Sequence, residues 1–199
     1  MQYLTGWKRK LNNAHRIVSS EAEQLILVDD DDNETGHLSK ADCHNGAGVL
    51  HRAFSVFLFD NDGHLLLQQR AAGKRLWPGH WSNSCCSHPR RGESMRVATE
   101  RRLQDELNAS TELEYVYRFQ YQAQYDEHGA ERELCHVYVG HIIAPVKPNE
   151  HEIDAIRMLS AREIDEELER NPDRFTPWFK IEWRTLIDEH AELMSRYAM

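Results

Sequence analysis

Residues 77–106, WPGHWSNSCCSHPRRGESMRVATERRLQDE, bring a thiol pair, an imidazole, guanidiniums and carboxylates into one loop and helix. A packed core does not need that mixture. It suits acid–base chemistry, metal binding or the holding of an anion. Upstream, His44 and His51 stand seven apart; downstream, Glu131 and Glu133 form an E-x-E pair. With His88 these residues offer three imidazoles and two carboxylates. Such a set suits Mn²⁺, Zn²⁺ or iron in an octahedral site better than the tetrahedral pattern of structural zinc. Spacing alone does not set these three apart from the other members of the twelve histidines, and an E-x-E pair on a strand is more often an exposed polar face.

The thiols pose a second choice. A cation or metal beside Cys86 would lower its pKa and make it a usable acid or base; without one, a free cysteine is a small buried hydrophobe. Cys85 and Cys86 alternate in direction on an extended chain, so at most one of them faces a site. The third element is a helix opened by Gly92-Glu93 and closing on Asp105-Glu106. Those acids could hold a divalent cation against a diphosphate, with Lys40, Arg70, Lys74 and Arg102 on the phosphate oxygens. A solvated amphipathic helix is the plain alternative.

The elements that must position these groups are legible in outline. Gln24–Val28 reads as a short strand. Residues 29–36 read as a solvated turn, because the acid run misses a calcium-loop frame at Glu34. Residues 40–51 are loop-like. Residues 53–59 and 64–70 are strands joined by an Asn61-Asp62-Gly63 hairpin turn, and their continuous apolar runs predict cover on both faces. Residues 94–107 form the helix. From Leu113 to Tyr125 the apolar residues alternate without a break, which predicts a half-buried strand. Residues 131–143 return, with Glu131, Glu133, Cys135 and Val137 on one face. Ser160 to Glu163 is a capping box. Thr176 is read as an N-cap before Pro177, opening a final helix that runs to about Arg196. Strands mixed with helices give an α+β fold with a mixed sheet layered between helices, in one domain over 23–199 after an N-terminal arm, 1–22, that is loose or a short helix.

Composition narrows the partners. The chain has 199 residues, 40% hydrophobic and 29% charged, with a formal net charge of −9. An acidic whole is a poor partner for nucleic acid or an anionic membrane. An anionic substrate must then be drawn by a local basic cluster acting at close range. No apolar run is long enough for a bilayer span or a secretory leader, so a cytoplasmic protein with reduced thiols is expected. A monomer is expected ahead of a dimer.

Ser87-x5-Glu93-x7-Arg101-Arg102-Leu103-Gln104-Asp105-Glu106-x-Asn108-Ala109 resembles the Nudix box, G-x5-E-x7-R-E-U-x-E-E-x-G-U. It departs at Ser87, Arg102 and Asn108. Asn tolerates the left-handed conformation that the last Gly supplies. Arg102 removes a carboxylate from the cluster with which hydrolases of this family bind several metals. The segment Trp77 to Pro89 resembles the W-P-G-x-W-[ST]-N-[ST]-x-C-x-H-P stretch of type I isopentenyl-diphosphate isomerases, a Nudix branch. That likeness extends in order through Lys40-x3-His44-x6-His51, Arg70-x3-Lys74, Glu131-Arg-Glu-Leu-Cys and Phe175-Thr-Pro-Trp178, about residues 24 to 185.

The resemblance implies an isomerase that interconverts isopentenyl and dimethylallyl diphosphate by protonation and deprotonation through a tertiary carbocation. It implies Cys86 and Glu133 as the acid–base pair, with Glu133 delivering the proton, Tyr121 bonded to it and Cys86 removing the other proton. Trp178 would lay its ring beside the cation, worth about 2 kcal/mol when desolvated, although a Trp at a helix start is often a core anchor. His44, His51, His88, Glu131 and Glu133 would hold Mn²⁺, Zn²⁺ or Mg²⁺. Glu106 would hold a second Mg²⁺ on the diphosphate, among Lys40, Arg70, Lys74 and Arg102. Two rivals stand beside this reading: a Nudix pyrophosphohydrolase, and a non-catalytic metal-binding module.

Overall fold

The computed structural model describes residues 15–198; Lys8, Arg9 and Lys10 of the expected arm lie outside them. In order come β1 (Gln24–Val28), β2 (Glu34–Ser39), α1 (Lys40–Cys43), β3 (His51–Phe59), β4 (Leu65–Arg70), β5 (Trp81–Ser82) and β6 (Cys85–Ser87). Then follow α2 (Met95–Leu107), β7 (Leu113–Asp126), β8 (Gly129–His141), β9 (Ile153–Leu159), α3 (Ala161–Arg170), a 3₁₀ turn (Pro172–Arg174), α4 (Pro177–Glu189) and α5 (Ala191–Met194).

Strand β3 is the centre of the sheet. One edge runs parallel to β8 from His51 opposite Glu133 to Phe59 opposite His141. The other edge is shared: β1 meets it at His51, β6 at residues 54–56 and β4 at Phe59. Alternation along β3 then sorts the core. Phe54, Val56 and Leu58 pack with Ala98, Leu103 and Leu107 of α2. Ala53, Phe57 and Phe59 pack with Ile164 of α3 and with Phe179 and Trp183 of α4. The mixed sheet therefore lies between α2 on one face and α3–α4 on the other, as the α+β reading expected. Burial on both faces is what the unbroken apolar run of β3 requires.

Several local expectations change. The β3–β4 hairpin splays after a single pair, Phe59 with Leu65, because β4 takes β9 and β5 as its neighbours. The alternation of β7 is broken at Val116, where the register slips between Tyr115 and Tyr117. Tyr115 is turned outward, 49% exposed, while Tyr117 stacks on His190 at the end of α4. One extra residue is enough to reverse a side chain's face. Strand β2 begins inside the expected turn, and α1 replaces part of the expected loop, capped by Ser39 Oγ, which accepts from Asp42 N at 3.1 Å. The expected last helix stops at Glu189 and α5 restarts at Ala191, which lets Tyr197 turn back to stack on His141. Thr176 stands at the N-cap of α4 before Pro177 as expected, but its side chain makes no cap hydrogen bond; its hydroxyl lies 3.0 Å from Ser82 Oγ.

Candidate active site

Three short pieces of backbone bring the histidines together. His44 ends α1, His51 opens β3, and His88 follows β6. Their ring centroids lie 4.9, 5.3 and 4.8 Å apart. Gly129 makes the approach possible. A Cβ there would collide with the His44 carbonyl oxygen, which instead accepts from Ala130 N at 3.1 Å. That contact docks α1 on the strand that carries Glu131 and Glu133. Alternation on β8 points both carboxylates to the same side, and the ligand atoms of all five residues lie within 4.8 Å of one another.

The backbone also orients the rings. His44 Nδ1 is 2.6 Å from Lys40 O and His51 Nδ1 is 2.7 Å from Val49 O. Each ring therefore donates from Nδ1 and turns Nε2 inward. His44 Nε2 lies 2.8 Å from Glu131 Oε2, and His88 Nε2 lies 2.8 Å from Glu133 Oε1. His51 Nε2 is 3.6 Å from Glu133 Oε1, too long for a hydrogen bond. His51 Nε2 is buried without a hydrogen-bond partner. Five converging imidazole and carboxylate groups, one of them with an unpartnered nitrogen, suit a divalent cation at their centre.

Charge follows from burial and neighbours. Burial pushes His44 down, but Glu131 outweighs it and holds the imidazole up at about 9. Burial prevails at His88, which falls to about 4 despite Glu133. Burial also pushes Glu133 upward, but the neighbouring imidazoles of His51 and His88, the latter hydrogen-bonded to it, bring the carboxyl well below the usual range. Tyr121 OH, one strand over on β7, donates to Glu133 Oε2 at 2.7 Å.

His44, His88, Tyr121, Glu131 and Glu133 border a cavity of about 310 Å³ on whose wall Cys86, Trp178 and Arg70 also lie. The two cysteines part company on β6. Cys85 faces α2, where its thiol lies 3.4 Å from Glu106 Oε1. Cys86 faces the cavity, its thiol pushed up to about 12 by burial with Arg70 opposing. Arg70 Nη1 is 3.9 Å from Cys86 Sγ. Its other nitrogens donate to Leu76 O and Trp77 O, and its guanidinium carbon stands 5.2 Å from the Trp178 ring centroid. Trp178, buried in the first turn of α4, meets Trp77 edge-on at 5.3 Å.

The basic residues gather at the other end of the cavity, already paired. Lys40 Nζ bonds Ser19 Oγ at 2.8 Å. Lys74 Nζ bonds Glu152 Oε2. Arg102 is 2% exposed. Its Nη2 lies 2.6 Å from Glu106 Oε1 and 3.2 Å from Glu152 Oε2, and its Nη1 donates to Val18 O at 3.1 Å. Glu106 thus sits behind Arg102 and off the cavity wall, with Oε1 occupied by Arg102 and Cys85. That arrangement engages one carboxylate oxygen of Glu106, the residue at which a second cation is expected. Glu152, which joins Lys74 and Arg102, had no signal in the sequence. Glu182, fully buried in α4, had one: it lies four residues after Trp178 and four before Leu186, on the core-facing side of the helix. The departure at Asn108 is explained directly, since Asn108 ends α2 at φ 51° and ψ 35°, the left-handed conformation.

The chain matches the NUDIX domain over residues 49–179. It is 41% identical over 172 residues to isopentenyl-diphosphate Delta-isomerase 1 of Photorhabdus laumondii, covering 85% of this chain and 98% of that protein. It is 44% identical over 176 residues to isopentenyl-diphosphate Delta-isomerase of Serratia proteamaculans, covering 88% and 98%. A crystal structure from Deinococcus radiodurans superposes with a TM-score of 0.62 at 20% identity, covering 75% of this chain and 90% of that one. A MutT protein from Methanosarcina mazei gives 0.58 at 15% identity, covering 71% and 95%. Those two likenesses bear on the fold alone.

Proposed function

The chain belongs to the isopentenyl-diphosphate Delta-isomerase family, within the NUDIX fold, and from that premise we propose how its own residues carry the reaction. It interconverts isopentenyl diphosphate and dimethylallyl diphosphate. The terminal carbon of an unactivated alkene gains a proton, a tertiary carbocation forms, and the neighbouring methylene loses a proton. Two acid–base groups are needed, placed by geometry because no electron sink is available. The observation that carries the assignment is that Cys86 and the Tyr121-bonded Glu133 border one cavity.

Cys86 Sγ holds a proton at neutral pH, whereas Glu133 is ionised and accepts from Tyr121 OH. This resting state favours Cys86 as the proton donor toward isopentenyl diphosphate and Glu133 as the acceptor. It is the reverse of the order expected from sequence. The reaction is reversible, and the same pair runs backward with the proton starting on Glu133. Arg70, beside Cys86 Sγ, favours the thiolate left after transfer. Trp77, Trp178 and Tyr121, each less than 9% exposed, close the alkene end of the cavity to water. One face of Trp178 carries Arg70, so the other face is assigned to the carbocation.

His44, His51, His88, Glu131 and Glu133 fit a resident Mn²⁺, Zn²⁺ or Mg²⁺. When bound, such an ion supplies positive charge that makes the Glu133 carboxyl a stronger acid. At the other end, Lys40, Lys74 and Arg102 attract the diphosphate, which brings Mg²⁺ of its own. Residues 15–22 of the arm belong to this end, since Ile17 and Ser19 border the cavity and Val18 O holds Arg102. Holding the diphosphate positions the small alkene tail. All four cysteines are free thiols, which supports a reducing compartment such as the cytoplasm. No described helix is long and apolar enough to cross a membrane.

Incubation with isopentenyl diphosphate and Mg²⁺ in deuterated water, followed by NMR, tests the reading. Deuterium in a methyl group of dimethylallyl diphosphate is expected. Free phosphate with an intact alkene would instead assign a pyrophosphohydrolase.

A further inference from the structure

Glu182 is a buried carboxyl that the reaction scheme above does not use. It lies on α4 one turn after Trp178 and is 0% exposed. Its Oε1 accepts from the Cys135 thiol at 3.5 Å, and the same sulfur lies 3.6 Å from Ser55 Oγ. Its Oε2 is buried without a hydrogen-bond partner. No Lys, Arg or His among the described residues forms an ion pair with it, and an unpaired carboxylate there is costly. Burial accordingly pushes Glu182 up to about 8, with Ser55 and Cys135 pulling the other way and Glu133 adding to the rise. At neutral pH it is a carboxylic acid.

The three bridged residues lie under three parts of the site. Cys135 follows Glu133 by two residues on the same face of β8. Ser55 is the Cα partner of Cys86 between β3 and β6. Glu182 shares the core-facing side of α4 with Trp178. The bridge therefore ties together the strand that bears Glu133, the strand beside Cys86 and the helix that bears Trp178.

We propose that Glu182 is a positioning residue for the isomerisation: as a neutral acid it ties α4 to β8 and β3 through Cys135 and Ser55, and on ionising it sets a negative charge beneath Cys86 and Glu133. The proposal rests on the isomerase reading. Ionised Glu182 repels the thiolate that Cys86 must become when it gives up its proton, so turnover of isopentenyl diphosphate falls as pH rises through the Glu182 transition. The groups that face Glu182 do not titrate in that window. Cys135 on β8 and Tyr117 on β7 are pushed well above it, Cys86 on β6 stands at about 12, and Glu133 lies well below.

The test is kcat against pH, with isopentenyl diphosphate, for the wild type and for Glu182→Gln, whose side chain stays neutral. Wild-type kcat is expected to fall about tenfold from pH 7 to pH 9, and that of the variant less than about twofold. At pH 6.5 the two should agree within about threefold. A fall that persists unchanged in Glu182→Gln overturns the proposal and assigns the limb elsewhere, for instance to His44, which the substitution leaves intact. A variant that is merely less stable, with the wild-type profile, overturns it equally. A second measurement needs no variant: carbon-13 NMR of wild-type protein labelled at the glutamate carboxyls should show one group titrating at the kinetic pKa. Disagreement by more than about one unit overturns the proposal even if Glu182→Gln does not fold. Absence of turnover by the wild type at every pH would sink the isomerase reading itself, and the proposal with it.

Discussion

Around Arg102 of α2, buried charge is closed on itself, whereas around β8 and α4 it is left open. Arg102 spends all three guanidinium nitrogens on Glu106, Glu152 and Val18 O. On the other side, His51 Nε2, Glu182 Oε2 and Trp178 Nε1 are buried without a hydrogen-bond partner. A closed network has little to gain from a further ion, while an open one gains by binding it. On the proposed reading, the Nudix-like helix of this chain anchors the phosphate end, and the chemistry lies on the strand that faces α4. Arg102 is the residue that closes the helix. It stands where the Nudix box has a carboxylate, and its cation neutralises the acids that would otherwise collect metals.

The largest effect that can sharpen this contrast lies at the two cysteines, which sit one residue apart on opposite sides. Cys86→Ala should lower kcat by about 10³-fold with KM little changed, whereas Cys85→Ala should stay within about threefold. Steady-state kinetics that reverse these results would exchange the two faces. Next, Arg102→Ala strips the cation from Glu106 while Glu152 keeps Lys74, and leaving the buried Glu106 carboxylate unpaired should cost about 3–5 kcal/mol in urea unfolding. A loss below about 1 kcal/mol would mean that the α2 network is not closed in the sense argued above.

The open side should respond to pH in its own way. The Glu182 carboxyl has a usual value near 4.5 when unfolded and about 8 when folded. Between those values the folded chain holds a proton that the unfolded chain has released, so stability falls as pH rises. Glu182→Gln removes this dependence. Its stability relative to the wild type should improve by about 3 kcal/mol between pH 5 and pH 8, and a constant difference across that range would refute the raised value. The smallest of these effects is in metal content. His88→Ala should weaken metal binding by about 100-fold without unfolding the protein. Elemental analysis after dialysis checks this, and unchanged metal would count against the five-residue site.

Much of the site was legible from residue types and order. The E-x-E pair on a strand and the alternation of Cys85 with Cys86 required only the two-residue period of β structure, and both arrangements occur in the fold. The helix at 95–107 and the capping box at Ser160 were equally local. The Val116 bulge was not legible, because inserting one residue leaves the Tyr and Phe spacing intact to the eye while turning Tyr115 outward. Strand β9 went unread because its pattern is short and carries charge.

Residue types and local periodicity set which groups are present, the face each takes on its own strand or helix, and the family to which their order belongs. Those properties follow from bonding along the chain. Long-range packing settled which charges remain available. It paired Lys74 with Glu152, drew Glu106 back behind Arg102, set Arg70 on Trp178, and left Glu182 buried without a cation. Each of these depends on segments far apart in the chain meeting in a low-dielectric interior. There a charge is governed by its nearest neighbours and its burial, and neither is written in local spacing.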